Sequence, residues 1–167
     1  MKKPDSKRFK KLIEDAPIGK YIGSRGAKIL AEIACCERQL KNGEFLFHQG
    51  DNADHFYLIS EGQLALVKER KKGKSPRILH ILEQGDLVGE QSFIDETPYT
   101  ESVMALGDAA VLCFKKEDFK PLITEQPELI YDFMRAIIKR AHHIAAEIGK
   151  QQLALADYIA TAGKGRL

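Results

Sequence analysis

Three sets of side chains could do chemistry, and each falls short of the pattern that its chemistry requires. Five histidines, His48, His55, His80, His142 and His143, invite a metal, but a His-x-His pair that starts at His48 has Gly50 as its second member. That ligand set is incomplete. Cys35, Cys36 and Cys113 are odd in number and lack paired C-x-x-C spacing. They argue against a disulfide framework, a zinc site or an iron–sulfur cluster, and read most simply as reduced small side chains. Neither a phosphate-binding P-loop nor a nucleophile–base motif is present. The protein is therefore expected not to be an enzyme and to hold no metal or cofactor.

The elements that must carry these residues follow from composition and periodicity. A chain of 167 residues, 44% hydrophobic, 30% charged and of net charge +2, fits one globular domain with an appended element. The first 28 residues hold nine cations, Lys2, Lys3, Lys7, Arg8, Lys10, Lys11, Lys20, Arg25 and Lys28, against Asp5, Glu14 and Asp15. Such a run could touch nucleic acid, acidic lipid or an acidic partner. Its simpler reading is a solvated N-terminal helix or a frayed tail. No uninterrupted apolar stretch follows the lysines, and none approaches the ~20 residues that span a bilayer, so a soluble, cytoplasmic protein is expected.

Helical spacing of Ile29, Leu30, Ile33 and Ala34 predicts a short helix over 27–34, after a break at Gly23–Gly26. From Cys35 to Phe114 the period falls to two. Strands are predicted near 37–40, 45–48, 55–61, 63–70, 77–82 and 109–115, with turn signals at Asn42-Gly43, Gly50-Asp51-Asn52, Glu61-Gly62, Lys71–Pro76 and Gly107-Asp108. The predicted fold is mainly β with flanking helices: an antiparallel β-roll of jelly-roll type, an N-terminal helix and a long C-terminal helix. The chain divides into a basic segment 1–26, the roll 27–126, the long helix 127–160 and a tail 161–167. In the long helix Ile130, Ile137 and Ile144 interleave with Met134, Ala141, Ile148 and Leu155 as a heptad seam, with Gln151 its polar position. Leu129, Phe133 and Ala136 mark an adjacent face for packing on the roll. Two apolar faces need two partners, so a parallel homodimer through this helix is expected.

The run Gly43-Glu44, Gly50-Asp51, Ala53-Asp54, Phe56-Tyr57-Leu58-Ile59 and Gly62, followed by Gly89-Glu90, resembles the cyclic nucleotide-binding domain family over about residues 27–143. The resemblance implies a sensor whose ligand is cAMP or cGMP, held by a phosphate-binding cassette that here spans Gly89 to Val103. It implies a contacting set of Val88, Gly89, Glu90, Gln91, Ser92, Tyr99, Thr100 and Ser102, with His143 of the long helix over the base. In that scheme Gly89 admits the ligand to the backbone, the helix from Glu90 aims free N–H groups at an anion, and the Glu90 carboxylate accepts from a ribose hydroxyl.

The family's arginine, which grips the cyclic phosphate, falls at Tyr99, or at Thr100 if the loop is one residue longer. Neither is a cation, and Glu101 follows. Two functions are therefore open: a small-molecule sensor with weakened phosphate recognition, or a degenerate interaction module of the same fold. Family transcription factors continue into a helix-turn-helix, for which the residues after Ala160 leave no room, so DNA binding is not expected. Output would pass through an unknown effector protein, through the dimer or, as a third function, through the basic N-terminus acting on anionic partners.

Overall fold

The computed structural model describes residues 5–70 and 73–162. Two helices come first, α1 (Ser6–Asp15) and α2 (Gly19–Ile33), then the strands β1 (Ala34–Leu40), β2 (Phe45–Phe47), β3 (His55–Lys68), β4 (Arg77–Leu82) and β5 (Leu87–Val88). The helix α3 (Glu90–Asp95) leads to the long strand β6 (Ser102–Lys115), and α4 (Lys116–Phe119), α5 (Leu122–Glu125) and α6 (Pro127–Ala162) complete the chain. All pairings are antiparallel. The strand path is β1-β6-β3-β4, with β2 added to β6 and β5 to β3. This is the predicted β-roll with a long C-terminal helix.

Alternation along β3 and β6 sorts the core into two layers, because successive side chains of a strand face opposite ways. Phe56, Leu58, Leu112 and Phe114 point to the helices and join Phe9, Ile13, Leu30, Phe93, Phe119 and Phe133. Tyr57, Ile59, Val111 and Cys113 point into the roll, with Leu40, Phe47, Val88, Tyr99 and Val103. The strands predicted at 55–61 and 63–70 are one element. The ladder with β6 runs from His55↔Lys115 to Val67↔Ser102 and bulges on either side of Glu61. Gly62 permits this bend: at φ 75 it stands where a Cβ would meet the Asp108 carbonyl at 2.5 Å.

The N-terminal segment differs from the expected solvated helix or tail. It is amphipathic: Phe9 and Ile13 of α1 are 2% and 1% exposed, and Ile18 and Ile22 are buried beyond it. A basic composition concealed this face, since lysines and arginines on one side of a helix leave the other free to pack. The short helix expected at 27–34 is the end of the longer α2, which bends at Gly23. The tail 163–167 lies outside the described residues.

A polar latch holds α1 to the roll. Arg8 donates from both terminal nitrogens to Glu37, at 2.8 and 3.1 Å, and from Nη2 to Glu61 at 2.9 Å. The Glu37 carboxylate also accepts from the buried Ser60 hydroxyl at 2.8 Å. Burial acts to raise the Glu37 carboxyl, but the Arg8 and Ser60 hydrogen bonds outweigh it and hold the pKa below the ordinary value. A depressed folded pKa means stability that is present above the unfolded value and lost as pH falls through the folded one. With the Arg8 side chain 41% exposed, solvent screening holds the pair to about 1 kcal/mol. Hydrogen exchange should show α1 opening ahead of the sheet on acidification below the carboxylate range, and already at neutral pH in Arg8→Ala. Equal protection of α1 and β3 in both cases would remove the latch.

Candidate functional site

Pairing of β5 with β3, Tyr57↔Val88 and Leu58↔Leu87, places the cassette glycine against the roll. Gly89 is left-handed at φ 77 and caps α3, and a Cβ there would lie 2.8 Å from the Tyr99 ring. Only glycine allows that closeness. Val88, Glu90 and Ser92 are buried, and Gln91 is exposed. The α3 helix is closed by Glu96, whose backbone sits at φ 56 and whose N–H donates to the Ser92 carbonyl, as does that of Thr97. Glu90, Gly89 and Tyr99 are thus brought together at one end of the roll.

Tyr99 occupies that end. It is 4% exposed, and its ring stacks on Phe47 with centroids 3.6 Å apart and planes 12° from parallel. Its hydroxyl donates to the His55 carbonyl at 2.6 Å. Its backbone is fixed too, the N–H donating to the Asp51 carbonyl at 3.0 Å and the carbonyl accepting from Gly50 at 2.8 Å. Burial, and then the neighbouring Tyr57 phenol, pushes the Tyr99 pKa far up, so the side chain is a neutral phenol. A phenol whose proton already serves a backbone carbonyl is not free to donate to a phosphate oxygen.

The hydroxyls that follow are also committed. Thr100 is exposed and its hydroxyl donates to the Glu101 carboxylate. Ser102, 1% exposed, accepts from the Gln49 N–H at 2.8 Å and donates to Glu69. Glu69 also meets His48 Nδ1 at 2.7 Å, and these two partners, Ser102 first, hold its carboxyl below the ordinary range. Glu101 and Glu69 therefore place two carboxylates beside the hydroxyls that a phosphate would use. A depression is lined by Asn52, Asp54, Glu96, Thr97 and Lys116, and Glu90 is not part of its wall.

His143 stands exposed on α6. Arg140 of α6 instead reaches β5, just ahead of the cassette. It donates to the Leu87 carbonyl at 2.9 Å and lies 3.6 Å from Asp86. Sequence reasoning missed it because a cation on a charged helix carries no signal of its reach. Its place three residues before His143 was the available hint. A second link is aromatic: Phe93 of α3, Phe56 of β3, Phe119 of α4 and Phe133 of α6 form a chain of rings with centroids 5.0–5.5 Å apart.

The family model described as "Cyclic nucleotide-binding domain" matches residues 37–126. The Cyclic AMP receptor protein of Thermus thermophilus is 29% identical over 111 residues, which cover 66% of this chain. The match spans about half, 51%, of that relative's length. Among solved structures, the Thermus thermophilus catabolite activator protein superposes with a TM-score of 0.65 at 25% identity, over 82% of this chain and 63% of that one. The regulatory domain of Toxoplasma gondii PKA with cAMP gives a TM-score of 0.67 at 22% identity, covering 83% and 50%.

Proposed function

The chain belongs to the cyclic nucleotide-binding domain family, and from that premise we propose that it is a non-enzymatic regulatory module whose cassette Tyr99 holds closed, leaving only a weak grip on cAMP or cGMP. The observation that carries this reading is the Tyr99 side chain, stacked on Phe47 and hydrogen-bonded to the His55 carbonyl where the family places its arginine. An absent arginine–phosphate fork withholds about 1.5–3 kcal/mol, about ten- to a hundredfold in affinity. Repulsion from Glu69 and Glu101 adds to that loss. Glu90 keeps its place for a ribose hydroxyl, so the frame of the site is retained while its charge is gone.

Titration calorimetry with cAMP and cGMP tests this. The expected result is heat only at about millimolar nucleotide, and a micromolar dissociation constant would overturn the closed cassette. Silence at several times that concentration favours the second reading, an interaction module that binds no nucleotide.

Output through a homodimer has its own support. The first half of the heptad seam is spent within the chain, since Ile137 is buried and Ile130 and Met134 pack on the helix-side core. The distal half is uncovered: Ile148 and Leu155 are 49% and 59% exposed. Exposed apolar residues at heptad spacing call for a second helix, and a parallel α6 from another copy provides it. Sedimentation should give two chains per particle, and Ile148→Asp with Leu155→Asp should give one. A wild-type mass of one chain would remove the dimer. Among the described residues no helix is long and apolar enough to cross a membrane. A cytoplasmic site, an unnamed effector protein and a contact of the basic helix α1 with an anionic partner remain parts of the proposal.

A further inference from the structure

Away from the cassette, three thiols meet where β1 crosses β6. Cys36 faces Cys113 in the ladder, and β1 bulges between Ala34 and Cys36. Consecutive strand residues ordinarily face opposite ways, but a bulge breaks that alternation. The Cys35 and Cys36 sulfurs accordingly lie together, 3.8 Å apart. Cys35 Sγ also donates to the Cys113 carbonyl at 3.3 Å, which fixes its rotamer. Both are half-buried, and Cys113 is buried.

Oxidation suits this arrangement poorly. Burial pushes the Cys35 thiol up to about 11 and Cys113 higher, so the thiolate that attacks a peroxide or a disulfide is scarce. A ready cage of three or more ligands for a metal ion is absent among the described residues. Two sulfurs side by side suit instead a soft electrophile that brings its own bases. We propose that Cys35 and Cys36 form a dithiol capture site for a trivalent thiophilic metalloid hydroxide, of which arsenous acid is the simplest. Two arsenic–sulfur bonds form as two arsenic–oxygen bonds break. Each thiol proton leaves with the displaced hydroxide as water, one hydroxyl stays on arsenic, and no atom changes oxidation state.

The site lies in register with the cassette. Cys36, Cys113, Tyr57 and Val88 occupy one row across β1, β6, β3 and β5, and Gly89 follows Val88. Tyr57 stacks between Phe47 and His55, at 6.0 and 6.1 Å, and Phe47 is the ring that holds Tyr99. Bridging the bulge would therefore be felt at the residue that closes the cassette.

The test is titration of the full, reduced chain with arsenite. Native mass spectrometry should show one arsenic per chain with loss of two waters, and X-ray absorption should show two sulfur neighbours. Peptide mapping after alkylation should find Cys35 and Cys36 protected in the wild-type protein. Uptake should vanish in Cys35→Ser and in Cys36→Ser, whose far-ultraviolet circular dichroism should match the parent. Near-ultraviolet dichroism should change on binding, and with no tryptophan in the chain the aromatic share of that signal, beside the arsenic–sulfur absorption, belongs to tyrosine and phenylalanine. Failure of the wild-type protein to take up arsenite overturns the proposal. Uptake that persists in Cys35→Ser overturns it as well, by placing the bridge between Cys36 and Cys113.

Discussion

Replacing Tyr99 by arginine together with Glu101→Ala should tighten cAMP binding by about ten- to a hundredfold over the parent chain, read by calorimetry. Two physical changes combine. The substitution restores a cation that can fork onto the phosphate, and it removes the carboxylate that would repel it. It also clears the ring that lies against Gly89, where a Cβ would come within 2.8 Å of Tyr99. The same variant should be less stable without ligand. Loss of a buried aromatic that stacks at 3.6 Å and caps the His55 carbonyl costs about 3 kcal/mol. Saturation with cAMP at a hundred times its dissociation constant returns about 2.7 kcal/mol, so the melting temperature should fall on mutation and rise again with nucleotide. A parent-like isotherm with an unchanged melting temperature would mean that Tyr99 does not close the site.

Phe133→Ala should cost about 3–5 kcal/mol in denaturant unfolding, because its 1%-exposed ring cannot be replaced by collapse of a neighbour. Phe133 packs on Phe56 and Phe119 at 5.5 and 5.0 Å, and these in turn hold Phe93 of the cassette helix. The cluster is thus both the anchor of α6 and the packed path from α3 to α6. Hydrogen exchange should show the proximal turns of α6 opening with α3 in this variant, while the β3–β6 ladder stays protected. A loss under about 1 kcal/mol, or α6 opening with α3 undisturbed, would break that coupling.

Much of this architecture was legible without coordinates. Period-two patterning and turn glycines mark strands whichever partners they find, because alternation and positive φ are local demands. Proline positions and unbroken helical spacing likewise mark α6. The merging of two expected strands into β3 was not legible, since Glu61-Gly62 reads equally as a turn or as a bulge. Nor was the burial of α1, which depends on Phe9 and Ile13 finding a sheet to cover. The sequence also marked a heptad along the whole helix, whereas packing on the roll uses its first half.

At the cassette, the sequence by itself determined the fold, the Gly89-Glu90 opening and the loss of the arginine, because these are matters of residue type and spacing. Tertiary structure alone decided what stands in the arginine's place. A tyrosine in that loop could have pointed to solvent or to a ligand. The stack on Phe47 and the His55 carbonyl fix its direction, and both come from distant strands that only folding brings to it. Side-chain orientation follows from which neighbours remove a group from water and satisfy its hydrogen bond, and those neighbours are set by the register of the sheet.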